Sequence, residues 1–228
     1  MTKTPLATCV LITSLICMNQ FAKAADPGDS DKPSIPPAEA ISKLKEGNAR
    51  YTSGNLQHPG QTSERRTELA NTQHPFAAIV CCSDSRVPPE VVFDQGLGDL
   101  FIVRVAGNLI NDEGLGSLEY TVDHLGTRLI LVLGHQRCGA VDAARKTIAA
   151  NGKAPGHIQS LVTALEPAVR TTAKQDLDAS IKANVKNVVQ AIRSSTPILK
   201  AKVDSGDIQV IGGYYSLDTG AVTLLDEK

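Results

Sequence analysis

Residues 129–139 read Leu-Ile-Leu-Val-Leu-Gly-His-Gln-Arg-Cys-Gly. Five apolar residues run without interruption, Gly134 ends them, and His135 and Cys138 follow before a helical stretch at about 140–150. An uninterrupted apolar run of this length suits a strand buried on both faces, as in a parallel sheet covered by helices. The same pattern recurs at 76–82 (FAAIVCC) and 100–105 (LFIVRV), and more weakly at 208–211 and 221–225. Helical periodicity fills the intervals at about 114–125, 158–169 and 178–194. From Pro37 to near Gly54, Ile41, Leu44 and Tyr51 share one helical face. The expectation is an α/β fold: a mostly parallel sheet of four strands plus an antiparallel edge strand, flanked by helices, with an N-terminal helical arm. The stripe Val185, Val188, Val189, Ile192 reads as core or subunit interface. No internal repeat is evident, and Pro155-Gly156 marks a loop within one domain spanning 38–228.

Of 228 residues, 42% are apolar and 21% charged, with a formal charge of −1. That composition excludes a disordered chain, a collagen or a coiled-coil rod, and offers no general attraction to nucleic acid or an anionic membrane. No apolar run approaches the roughly 20 residues of a membrane-spanning helix. Lys3, an apolar stretch from Pro5 to Met18, and the small residues of Ala22-Lys23-Ala24 have the order of a secretory signal cleaved after Ala24. Residues 25–37 (ADPGDSDKPSIPP) read as a solvated linker. Cleavage would remove Cys9 and Cys17 and leave Cys81, Cys82 and Cys138. An odd cysteine count in an exported protein argues against a simple disulfide framework. The expected location is the periplasm.

Two segments follow strands directly: Cys82-Ser83-Asp84-Ser85-Arg86 and Gly134-His135-Gln136-Arg137-Cys138-Gly139. Sites in parallel sheets collect at the carboxyl ends of strands, so Cys82, His135 and Cys138 are expected to converge. Two thiolates and an imidazole are a zinc ligand set that leaves a fourth position open. Cys138 sits where a helix should begin, a position that favours the thiolate. Cys81 and Cys82 should point oppositely on a strand, with Cys81 in the core. A Cys82–Cys138 disulfide, or a structural thiol pair beside an unrelated histidine, uses the same residues. An arginine two positions from Asp84 would keep that carboxylate ionised. Asp84 could then accept a proton from the reacting group, take the fourth metal position, or simply brace a loop with Arg86.

These segments resemble the β-class carbonic anhydrases. The likeness spans about 38–215 and rests on CSDSR at 82–86, GHxxCG at 134–139, Glu119-Tyr120, and the run from Asp94-Gln95-Gly96 through Arg104 to Ala106-Gly107-Asn108. It implies one zinc ion per subunit on Cys82, His135 and Cys138, with an Asp84–Arg86 dyad orienting a zinc-bound hydroxide. It implies reversible hydration of CO2 to bicarbonate. It also implies homodimers or homotetramers in which the N-terminal helix reaches across to a partner. Gln73, nine residues before Cys82, together with Phe101, Tyr120 and Gly139, matches the substrate pocket. Arg104 is present but the chain has no tryptophan, which argues against the bicarbonate-regulated subgroup. His74, beside Gln73, leads His58, His124 and His157 as a proton shuttle. Alternatives are CS2 or COS hydrolysis at the same site, or a non-catalytic zinc-binding protein. A thiol–disulfide oxidoreductase would normally carry C-x-x-C, which is absent.

Overall fold

The computed structural model describes residues 35–225. The expected secretory signal at 1–24 and nearly all of the expected linker lie outside them. Five strands form one sheet: β1 (Ala77–Cys81), β2 (Leu100–Arg104), β3 (Leu129–His135), β4 (Gln209–Tyr215) and β5 (Val222–Leu224), in the order β2-β1-β3-β4-β5. The first four are parallel, and β5 runs antiparallel against β4. Among the described residues eight α-helices flank the sheet: α1 (Pro37–Ser53), α2 (Ser63–Glu68), α3 (Pro89–Val92), α4 (Asp112–Asp123), α5 (Gly139–Ala149), α6 (Ile158–Thr171), α7 (Leu177–Ser194) and α8 (Ile198–Asp204). The expected architecture is therefore present.

The two-residue period of a strand explains the unbroken apolar runs. Ala77, Ile79, Cys81, Leu129, Leu131 and Leu133 point to one face, beneath Ala40 and Leu44 of α1 and Val92 of α3. Ala78, Val80, Ile130, Val132 and Val210 point to the other, beneath Leu118 and Val122 of α4 and the stripe Val185, Val188, Val189, Ile192 of α7. Both sets are buried, so neither strand face could be polar. The stripe on α7 is thus core. A third cluster joins α5, α6 and α7 above the carboxyl ends of the strands, with Cys82 and Cys138 in it.

Two features seat the functional loops. Helix α7 lies close on the sheet because Gly134 and Gly212 have no side chains. A Cβ there would stand 2.6 Å and 2.8 Å from Val185 methyl groups. Helix α1 starts with Pro37 in its first turn and stops at Gly54, whose left-handed backbone (φ 73°) returns its N–H to the last turn. Between them, Asn48 ties three segments together. Its amide donates to Val92 O (3.1 Å) and Gly220 O (2.8 Å), and its oxygen accepts from Val222 N (2.8 Å).

Candidate metal centre

The site is built where β1 and β3 end. Cys81 is the last residue of β1 and faces the core under α1, while Cys82 falls on the opposite side. Burial pushes the Cys81 thiol up to about 12, so it stays protonated. His135 is itself the final residue of β3, two residues beyond the expected strand end. The reason is that β4 continues to Tyr215 and pairs with His135, and Gln136 N then donates to Tyr215 O at 2.8 Å. Cys138 is the N-cap residue of α5.

These positions bring Cys82, His135 and Cys138 together, with their ligand atoms all within 4.8 Å of one another. The two sulfurs are 4.0 Å apart. His135 is fully buried, and its Nδ1 lies 3.0 Å from the Gln136 carbonyl oxygen. A carbonyl only accepts, so Nδ1 carries the proton and Nε2 presents a lone pair. That Nε2 is buried without a hydrogen-bond partner among the described residues. A buried orphan acceptor facing two thiols is costly unless something else binds there. Two sulfurs on one tetrahedral zinc would be about 3.8 Å apart, close to the observed separation. The donor set therefore fits a divalent metal of zinc's preferences. The cysteines are free, so the disulfide alternative is not the state seen here.

The thiols do not behave as two independent groups. A hydrogen bond from Cys138, and behind it one from the Gly107 amide, favours the Cys82 thiolate. The same bond to Cys82, followed by burial, pushes Cys138 up. The pair thus loses its first proton readily and holds the second. At Cys138 the backbone amides of Val141 and Ala140, at the start of α5, pull the other way and favour its thiolate.

Asp84 and Arg86 occupy the loop after β1. Arg86 Nε and Nη2 donate to the two carboxylate oxygens at 2.9 Å and 2.7 Å, and Arg86 N adds a third bond at 2.9 Å. The Arg86 guanidinium holds the Asp84 carboxyl well below the usual carboxylate range. Asp84 Oδ2 stands 3.8 Å from His135 Nε2. The loop is held from below by Arg104, whose Nε donates to Cys82 O (2.9 Å) and whose Nη2 donates to Asp84 O (2.6 Å).

The sequence-derived pocket residues are distributed differently. Gly139 opens α5 beside Cys138, and a Cβ there would meet nothing within 4 Å. Phe101 and Tyr120 pack together, with ring centroids 6.5 Å apart, and Tyr120 also stacks near His124 at 5.2 Å. Phe101 pairs in register with Ala78, near the start of β1, whereas Cys82 follows its end. Gln73 precedes β1 and lines a surface cleft with Leu69, Leu97 and Gly98. His74 lies beside it, bonded to Thr72 Oγ1 at 3.0 Å. A single chain thus unites the metal donors and the dyad but leaves Gln73, Phe101 and Tyr120 towards the opposite end of the strands.

Three contributions to the site were not read from the sequence. Arg104 looked like part of a regulatory pattern but holds the Asp84 loop. Asn184 lies inside the apolar stripe of α7 and donates to Gly107 O at 2.8 Å. Asp218, more than 80 positions away along the chain, accepts from Gln136 and Arg137, the two residues between His135 and Cys138. Its place in Leu-Asp-Thr-Gly, a turn signal, was the only trace.

A mostly parallel sheet flanked by helices, with a buried Cys-His-Cys group able to hold a metal and an adjoining Asp–Arg pair, defines a class of α/β proteins. Within that class, the family model for carbonic anhydrase matches residues 77–222. Carbonic anhydrase 2 of Mycobacterium tuberculosis is 39% identical over 197 residues, covering 85% of this chain and 95% of that protein. The carbonic anhydrase of Mycolicibacterium smegmatis is 37% identical over 195 residues, covering 84% and 95%. The Coccomyxa β-carbonic anhydrase, solved with acetazolamide, superposes with a TM-score of 0.62 at 29% identity, covering 81% of this chain and 86% of that one. The chain belongs to the carbonic anhydrase family, in its β class.

Proposed function

We propose that the protein catalyses the reversible hydration of CO2 to bicarbonate and a proton, with one zinc ion held by Cys82, His135 and Cys138. The observation that carries this reading is the buried, unpartnered His135 Nε2, set among two thiols and 3.8 Å from a carboxylate fixed by Arg86. Zinc bound there would supply Lewis acidity that makes water a better nucleophile near neutral pH. Everything else falls to the chain. Asp84 stays ionised and can only accept hydrogen bonds, so it orients an O–H group of the reacting water and aims a lone pair at CO2. Arg86 keeps that carboxylate pointed into the site. The proton released in the reaction leaves to buffer.

The pocket argues for an oligomer. β2 is an edge strand of apolar residues, Leu100 to Val103, each only half-buried. A second copy covering this edge would bury them and bring Gln73, Phe101 and Tyr120 towards a neighbouring metal centre. One structure sharing the fold is described as one of two tetrameric β-carbonic anhydrases from Sordaria macrospora. Export to the periplasm rests on the order of charge, apolar core and small residues in 3–24. N-terminal sequencing of protein from a periplasmic extract would show Ala25 first, or refute it. No helix among the described residues is long and apolar enough to cross a membrane.

The test is stopped-flow CO2 hydration by zinc-loaded protein at pH 8.5, alongside the variant Asp84→Ala. A rate well above buffer, abolished in the variant with zinc retained, is expected. Zinc bound at one per chain without hydration would overturn the reading and favour CS2 or COS hydrolysis, or zinc storage.

A further inference from the structure

Asn184 is buried on α7, 2% exposed, between Ile181 and Val185. Polar side chains inside such a stripe persist when they satisfy another buried group. The partner here is the Gly107 carbonyl, which accepts from Asn184 Nδ2 at 2.8 Å. Gly107 belongs to a tight turn after β2 in which two successive residues, Gly107 (φ 73°) and Asn108 (φ 45°), adopt left-handed backbone. The turn aims the Gly107 N–H at Cys82 Sγ, 3.2 Å away.

We propose that Asn184 is a positioning residue for the metal centre: by anchoring the Gly107 carbonyl it keeps the Gly107 amide donating to the Cys82 sulfur. This rests on Cys82 being a metal ligand. An N–H donated to a thiolate stabilises the charged ligand and lowers the energy of its lone pairs, so its loss weakens metal binding and moves the charge-transfer band to lower energy. Asn184 touches neither metal nor substrate, and acts through one turn of backbone. Outer partners of this kind change metal affinity about 10- to 100-fold when removed.

The test uses the cobalt-substituted protein, whose thiolate-to-metal charge-transfer band reports the charge on sulfur. Asn184→Leu fills the buried space without a donor, and Asn184→Ala serves if the leucine variant does not fold. Ile192→Ala, two turns further along α7, is the control for general loosening. The expected result is a band moved to lower energy in the Asn184 variant, unmoved in Ile192→Ala, with zinc affinity weakened about tenfold. An unmoved band in the Asn184 variant overturns the inference, as does an equal shift in the control. A wild-type protein that takes up no cobalt overturns the metal-site reading itself. A wild-type band that persists unchanged in Asn184→Leu overturns only the role of Asn184.

Discussion

Arg86 grips both carboxylate oxygens of Asp84, Nε on Oδ1 at 2.9 Å and Nη2 on Oδ2 at 2.7 Å, and so keeps Oδ2 at 3.8 Å from His135 Nε2. The carboxylate is one short movement from the metal donors, and the guanidinium is what opposes that movement. Arg86→Ala should release Asp84 towards the metal, where it would occupy the open position. CO2 hydration should fall by roughly 10²-fold or more, the usual scale for a misplaced acid–base group. Metal content should not fall. Stopped-flow rates with metal analysis decide this; an active variant would show that the dyad only braces the loop. Because Arg86 lowers the folded-state pKa of Asp84, the pair's contribution to stability is present above the ordinary carboxylate range. It is lost only as pH falls through the depressed folded value.

Cys81 and Cys82 are neighbours with opposite fates. Cys81 packs under α1 with its thiol pushed up to about 12, while Cys82 joins His135 and Cys138. Cys81→Ala should keep one metal per chain and full activity. It should lose about 1 kcal/mol of stability, a fall in Tm of roughly 2–4 °C. Cys82→Ala should lose both metal and activity. Metal analysis and thermal unfolding of the two variants test the assignment, and loss of metal in Cys81→Ala would reverse it.

How much of this could be read in advance depends on how local each signal is. β1, β2 and β3 are continuous apolar runs and were legible to within about two residues. β4 was read only at 208–211, because Gly212 and Gly213 carry no strand preference. They are present because Val185 and Leu131 crowd the space a side chain would need. Helices α2, α3 and α8, of six, four and seven residues, are too short for a helical period to show. The metal donors announced themselves by residue type after strand ends. Asn184, Arg104 and Asp218 did not, since each acts on a backbone or loop distant in sequence.

Asp218 lies in the turn between β4 and β5 and ties down the loop between two metal donors. It accepts from Arg137 Nη2 (2.7 Å) and Nη1 (3.0 Å) and from Gln136 Nε2 (2.8 Å), and its own N–H donates to Gln136 Oε1 (3.2 Å). Arg137 needs the support, for it holds a left-handed backbone at φ 52°. The pair is exposed and contributes little to global stability. Its effect should be local: Asp218→Ala should release metal to a chelator several-fold faster with Tm nearly unchanged. Arg137→Ala in the same protein should add little, because both variants break one network. Additive losses would mean the two residues act separately.

The pH dependence follows from which groups titrate. Asp84 is ionised throughout the neutral range, and thiols serving as metal ligands are already deprotonated. Neither therefore generates an activity limb between pH 6 and 9. Two thiolates cancel the formal charge of a zinc ion, so water at this centre is acidified less than at a site with three neutral histidines. Activity should rise from pH 7 towards pH 9 instead of levelling near neutrality. Asp84→Asn should lower the plateau without moving the midpoint, because the carboxylate orients the reacting water but is not the group being titrated. Initial rates of CO2 hydration across pH 6–9 for both proteins test this. A flat profile for the wild type would contradict the thiolate argument, and a shifted midpoint in Asp84→Asn would make Asp84 the titrating group.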